Sequence, residues 1–304
     1  MNLLAFKALK RNGEILQSPT RNGVWVKKHI PQVGGEFFYL EADKPPEAKN
    51  RHGIYAGTFW EASGYEGDIY LVAPLPSPET VVAIGSMGWR ASAAIVVGGP
   101  YNLDDENDQV KAAEQIIAAA RAGYETIPGV LVWACSVLKE SSFLFDLIKI
   151  PDKRIKIGIA EACGDIGESA IPVLKKVRTV SVEIFPAIAR ACEKIGPASI
   201  PILRRYAKIR IKRDRPTERC LRVSAILSLG KIGHEAIPVL WEVSSMVNES
   251  NMFELMYIAK ACGNIGKETI PLLQFISERY GENTIIRNTI EEAFEKIYLS
   301  CHGG

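Results

Sequence analysis

Glycine recurs in this chain in a setting that leaves few architectures open. Four stretches share one punctuation: Asp165-Ile166-Gly167 followed by Ile171-Pro172, Lys194-Ile195-Gly196 by Ile200-Pro201, Lys231-Ile232-Gly233 by Ile237-Pro238, and Asn264-Ile265-Gly266 by Ile270-Pro271. A weaker copy, Ala122-Gly123 with Ile127-Pro128, precedes them. Glycine supplies the left-handed conformation that commonly ends a helix. Proline suits the first turn of the next helix, where its missing N–H is not needed. Each copy therefore reads as a helix, a stop, three residues and a second helix. Such a unit cannot bury its apolar face alone, so neighbouring copies are expected to stack as a solenoid.

The buried faces are legible from helical spacing. Ahead of the glycines stand Ile159, Ala160, Cys163 and Ile166; Ile188, Ala189, Cys192 and Ile195; Ala225, Ile226, Leu229 and Ile232; and Ile258, Ala259, Cys262 and Ile265. Small residues among them allow close approach of helices. After each proline comes an aliphatic pair, Val173-Leu174, Ile202-Leu203, Val239-Leu240 and Leu272-Leu273, which packs the second helix on the first. The glycines lie 44, 29, 37 and 33 residues apart, which fits repeats with loops of unequal length. Residues 284–299 read as a terminal helix, with Ile286, Ile290, Ala293 and Ile297 inward and Glu291, Glu292 and Glu295 on a polar capping face.

This pattern, over residues 109–300, resembles HEAT repeats, and within them the short subclass named for phycobilisome lyases. The resemblance implies an α/α superhelix whose second helices line a concave surface. The fold class expected is α+β with two domains: a β-rich module over 1–98, a Gly-Pro and acidic linker over 99–108, and a HEAT-like solenoid over 109–304. The β assignment comes from short apolar runs, among them Leu4 to Leu9, Val24 to Val26, Phe37 to Leu40, Ile69 to Ala73 and Ala94 to Val97. Several are separated by Asn12-Gly13, Asn22-Gly23 and Gly34-Gly35.

No apolar run is long enough to span a membrane, and Lys7 interrupts the N-terminal apolar stretch too early for a signal peptide. Cys163, Cys192 and Cys262 share one slot, four residues before the repeat glycine, and so read as small core residues rather than disulfide partners or metal ligands. A reducing, cytoplasmic setting is expected, with no cofactor and no metal.

Charge is distributed in blocks. Residues 149–222 carry 18 basic and 8 acidic side chains, a net +10, whereas the segments before and after are each at −4. The densest run opens with Arg204-Arg205 and includes Lys208, Arg210, Lys212, Arg213 and Arg215. Read as one helix, it places Ile200, Leu203, Ala207 and Ile211 inward and Arg204, Lys208 and Lys212 in a stripe beside them, widened by Arg205. Lys175 and Lys176, followed by Arg178, occupy the slots equivalent to Arg204 and Arg205 one repeat earlier; Trp241 and Glu242 occupy them one repeat later. Given the resemblance, these residues form one positive concave band, an anion-binding surface for an acidic protein or a nucleic acid.

Enzymatic readings need more than the chain offers. HEAT-like deoxyhypusine hydroxylases hold iron with several His-Glu pairs, and this sequence has one, His234-Glu235. Phycobilin lyases share the repeat class, but one sequence cannot show their partner and bilin contacts. HEAT-like DNA glycosylases combine aromatics and a carboxylate on a basic face, for which Trp241 and Glu242 are the matching ingredients; base repair is thus the second functional reading. Gly85-Ser86-Met87-Gly88 lacks the Lys-Ser/Thr of a phosphate loop. In the first domain, His52-Gly53-Ile54-Tyr55-Ala56 is similar to a strand of small bacterial and phage domains and to the central strand of ADP-ribosyltransferases. That family also requires a first-strand His or Arg and a late Glu, whereas Lys7 stands in the first strand here. The principal reading is a non-enzymatic adaptor that holds an acidic protein or nucleic acid against the basic middle repeats.

Overall fold

Antiparallel pairing of short segments accounts for nearly all the described residues among the first hundred. A computed structural model describes residues 5–12, 15–17, 24–30, 35–41, 54–56, 68–74, 82–84, 87, 89–91, 93–102, 105–122, 126–177, 181–209, 216–247 and 252–302. Six strands close on one another: β1 (Ala5–Asn12), β2 (Ile15–Gln17), β3 (Val24–Ile30), β4 (Gly35–Glu41), β6 (Asp68–Pro74) and β9 (Ala93–Tyr101). They are ordered β1-β2-β3-β4-β9-β6, with β6 returning to β1. Register is fixed by pairs such as Phe6 with Leu71, Val26 with Tyr39 and Tyr39 with Ile95. Closure pairs each of these six strands with a neighbour on both sides. Leu9, Leu16, Ile69, Leu71 and Ala94 are fully buried in this barrel. Three shorter strands, β5 (Ile54–Ala56), β7 (Val82–Ile84) and β8 (Trp89–Ala91), make a separate sheet in the order β5-β8-β7.

The expected linker over 99–108 is largely built into secondary structure. β9 continues through Gly98-Gly99-Pro100 to Tyr101, pairing Gly98 with Leu71 and Tyr101 with Ile69. Helix α1 (Glu106–Arg121) opens inside the acidic run: Asp105 is its N-cap, accepting from the Asn107 N–H at 2.9 Å, and Glu106 and Asp108 sit in its first turn. Acidic residues there complement the positive end of the helix dipole, so the run serves as a helix start rather than a tether. Gln115 on α1 is tied to the barrel strand β9 by the Tyr101 hydroxyl at 3.0 Å and by the Val97 carbonyl at 3.3 Å. Next come α2 (Pro128–Val137), α3 (Leu144–Leu147) and α4 (Lys153–Ile166). The chain divides into two compact units, Met1–Ala162 and Cys163–Gly304.

In the second unit the repeated sequence becomes a repeated structure. After α4 come α5 (Ile171–Leu174), α6 (Phe185–Ile195), α7 (Ile200–Ala207), α8 (Pro216–Ile232), α9 (Ile237–Ser245), α10 (Glu254–Ile265), α11 (Ile270–Tyr280) and α12 (Thr284–His302). Between the two helices of each copy, the three residues after the glycine form one 3₁₀ turn: Glu168–Ala170, Pro197–Ser199, His234–Ala236 and Lys267–Thr269.

The glycine conformation differs from the expected left-handed helical one. Gly167, Gly196, Gly233 and Gly266 all have positive φ, between 81° and 115°, but their ψ lies between −147° and −159°. This extended, positive-φ region is essentially closed to residues with a Cβ. The stop is then tied off by hydrogen bonds. Gly196 N–H donates to the Cys192 carbonyl at 2.9 Å, and the Ser199 hydroxyl reaches the Cys192 and Gly196 carbonyls at 2.8 and 2.7 Å. Thr269 repeats this on Cys262 and Gly266. Gly123 lies outside the described residues.

Of the positions expected to face inward ahead of the glycines, all are buried except Ile166, Ile232 and Ile265, which are half-exposed beside the stop. The aliphatic pairs after the prolines are buried without exception. So are Ile286, Ile290, Ala293 and Ile297 on α12, while Glu291, Glu292 and Glu295 are exposed. Successive first helices touch through glycine: a Cβ added at Gly164 would lie 2.9 Å from the Ala191 Cα, and one at Gly230 would lie 2.6 Å from the Ala261 Cα. The slot equivalent to Gly164 and Gly230 is Glu193 in the second copy, and there polar bonds replace the backbone contact. Glu193 accepts from the Ser228 hydroxyl at 2.7 Å and from the Lys231 ammonium at 3.0 Å.

Candidate functional site

The interior repeats itself from copy to copy, and the exposed slots of the second helices do not. Taking the fourth and fifth residues after each repeat isoleucine, the slots hold Lys175-Lys176, Arg204-Arg205, Trp241-Glu242 and Gln274-Phe275. Between adjacent copies, the first slot of one reaches the second slot of the next. Arg204 meets Glu242 in this way, its Nε at 2.7 Å from Oε2 and its Nη2 at 3.0 Å from Oε1. Trp241 meets Phe275, with ring centroids 5.2 Å apart and planes inclined by 50°. One packing geometry thus carries an ion pair at one step and an aromatic pair at the next.

Glu242 changes the character of the expected basic band. Besides Arg204, it accepts from the Lys208 ammonium, so one carboxylate holds two of the band's cations. Their hydrogen bonds, Arg204 first and Lys208 second, depress the Glu242 carboxyl to about 2. Arg204 is held above its ordinary value by the same hydrogen bond. A bidentate guanidinium–carboxylate contact is the strongest and most directional form of such a pair.

The helix that presents these residues is shorter than the charge run. α7 ends at Ala207, with Lys208 as its C-cap and Ile209 N–H turning back to the Tyr206 carbonyl at 3.1 Å. The expected stripe through Lys212 therefore does not continue on α7. Its buried face is Ile202, Leu203, Tyr206 and Ala207; Ile200, expected inward, is half-exposed at the helix start. Ile211, Arg178, Arg210, Lys212, Arg213 and Arg215 lie outside the described residues.

One step earlier the same face is different again. Lys175, Lys176 and Arg205 are exposed. Lys175 and Arg205 line a groove of about 260 Å³ between the end of α5 and α7. Its apolar lining is Leu174, Val177, Ile202 and Tyr206, all nearly buried, with Pro201 beside them. Tyr206 is braced from behind by Phe185 at a centroid distance of 4.5 Å. Among the described residues, neither Lys175 nor Arg205 has a carboxylate partner.

Other candidates stand as follows. His234 and Glu235 meet at 3.4 Å on an exposed 3₁₀ turn. Among the described residues no group of three or more His, Cys, Asp or Glu side chains is placed to hold a metal ion. Cys163, Cys192 and Cys262 are buried thiols outside any disulfide, as is Cys135, whereas Cys220 and Cys301 are exposed. Burial pushes the Cys192 and Cys262 thiols up to about 12. In the first unit, β5 contains Tyr55 and pairs with β8; His52 lies outside the described residues. No helix among the described residues is long and apolar enough to cross a membrane.

Sequence reasoning missed the counter-ion. Glu242 was visible in the right slot, but only the diagonal packing between copies shows that it answers Arg204. The repeat alignment carries that signal once slots are compared across copies instead of within them. The family described as PBS lyase HEAT-like repeat matches residues 221–242, the span from α8 through the third repeat glycine to Trp241-Glu242. This chain is therefore similar to HEAT-like repeats over its third copy. No curated protein and no solved structure matches it.

Proposed function

We propose that the repeat unit is a non-enzymatic interaction scaffold, in which stacked helix pairs form a superhelix and the second helices hold an acidic partner at the basic middle copies. The HEAT-like match and the recurring helix–glycine–helix unit support a scaffold role. The observation that carries the acidic partner is the pair Lys175 and Arg205, on neighbouring copies beside one groove, with no carboxylate to neutralise them among the described residues. Arg204 and Lys208 contribute less than the sequence implied, because Glu242 already occupies them.

Base repair draws less support. A carboxyl held at about 2 is a weak base near neutral pH, and Trp241 packs on Phe275.

The test is titration of the full chain with polyglutamate and with an oligothymidylate, against the Lys175→Glu/Arg205→Glu variant. At least one polyanion should bind the parent chain and be lost from the variant. Steep salt dependence marks the nucleic acid, since each neutralised phosphate releases counterions. A slowed on-rate marks the acidic polypeptide. Parent protein that binds neither polymer nor any acidic peptide refutes the reading.

A further inference from the structure

The groove at α5 and α7 has a composition that discriminates among acidic partners. We infer that it is a docking site for a short acidic-aliphatic peptide, in which an Asp or Glu flanks one large apolar side chain; this rests on the scaffold reading above. Four nearly buried side chains, Leu174, Val177, Ile202 and Tyr206, present an apolar floor of the kind that a purely anionic polymer has no use for. Lys175 and Arg205 bring a cation from each of two neighbouring copies to the same cleft. A carboxylate there meets a planar guanidinium and a point-like ammonium, and the adjoining apolar side chain leaves water for the floor. At about 260 Å³ the cleft lies just below the ~300–1,000 Å³ of small-molecule pockets and suits one or two side chains.

The neighbouring slots argue for a peptide over a nucleic acid. A backbone-tracking site for single strands needs a run of available cations with aromatic faces between them. Beyond Arg205 the next cations on this face, Arg204 and Lys208, are both held by Glu242. The aromatic pair that follows, Trp241 and Phe275, is inclined and packed on itself. The free positive charge of the described face is therefore concentrated at one apolar cleft and not spread along a track.

A random dodecapeptide phage library panned on the full chain tests this, followed by fluorescence anisotropy with the best enriched peptide. Enriched sequences should place Asp or Glu within a few positions of Leu, Ile, Met or Phe. Lys175→Glu and Arg205→Glu should each weaken that peptide at least tenfold. Both residues are exposed and unpaired among the described residues, and either reversal sets an acid beside the remaining cation, so thermal melting should not fall. Changing the peptide's apolar residue to Ser should cost as much as changing its acid to Gln. Enriched peptides without acids, or binding that survives both reversals, overturn the inference. Polyglutamate or oligothymidylate binding that the same reversals abolish, with no peptide enriched, leaves the scaffold reading standing and removes this one. Absence of binding to all three probes removes both.

Discussion

Replacing Gly196 with Ala and, separately, with Asn tests what kind of stop ends each first helix. Gly196 sits at φ 81° and ψ −147°, and a Cβ built there would meet nothing within 4 Å. No steric contact with the rest of the protein contributes, so the whole cost is conformational. Holding a residue with a Cβ in this region costs on the order of 1–3 kcal/mol. For a unit of this size that corresponds to a fall in Tm of about 4–8 °C at a cost of ~2 kcal/mol. Asn is the informative second substitution. It tolerates the left-handed helical region better than Ala does, but it has no such advantage at extended ψ. Both variants should therefore lose stability equally, measured by thermal melting and by urea midpoints. An Asn variant close to the parent, beside a clearly weakened Ala variant, would return Gly196 to the left-handed helical conformation and refute the argument. Gly230→Ala provides the contrast: its Cβ would lie 2.6 Å from the Ala261 Cα and 2.7 Å from its Cβ, so its cost is steric and Ala261→Gly should relieve only the side-chain part of it, whereas no neighbour can relieve any of Gly196→Ala.

Glu242 has its pKa depressed from 4.5 to about 2 in the folded state, so it contributes stability that is full above pH 4.5 and is lost as pH falls toward 2; the urea-midpoint difference between the parent and Glu242→Gln should shrink across that window and be unchanged from pH 6 to 8. The Arg222–Glu254 pair is buried, at 2.8 Å with each side chain 3% exposed, and burial lowers the Arg222 pKa against the opposing effect of Glu254. Glu254→Ala should cost ~3–5 kcal/mol by stranding the guanidinium, whereas Arg222→Met with Glu254→Leu should recover most of it, read by urea denaturation. Of the six cysteines, Cys220 and Cys301 should label rapidly with iodoacetamide in native protein and the other four only on unfolding; fast labelling of Cys192 or Cys262 would contradict their place in the core.

The interior of the repeats was readable because burial imposes the same demand on every copy. Cys163, Cys192 and Cys262 fill one slot against the glycine stop, and the aliphatic pairs after each proline are buried throughout. The conformation of the stop was not readable, since glycine is equally at home in the left-handed helical region and in the extended one found here. Nor was the end of α7, where the charge run contains no Gly or Pro before Pro216 to mark it. In the first unit, alternation located strands, but which edges meet to close the barrel depends on long-range pairing of β1 with β6 and of β4 with β9. Composition made Gly98-Gly99-Pro100 look like a tether, yet the backbone bonds of β9 run through it.

What distinguishes the copies lies at two exposed slots, and those slots follow a rule that relates function to packing. Because the first slot of one copy meets the second slot of the next, each junction is specified by a pair of residues drawn from different repeats. Arg204 with Glu242 gives a closed ionic junction, and Trp241 with Phe275 gives a closed aromatic one. Lys175 and Arg205 occupy the corresponding slots one step earlier, and two cations cannot close on each other. Like charges held beside one cleft repel, which weakens the junction unless something anionic lies between them. A scaffold built only for stability would place an acid at one of these positions, as it does at Glu242. The open junction is thus the place on the described second-helix face where an external carboxylate would complete the pattern that the other junctions complete internally.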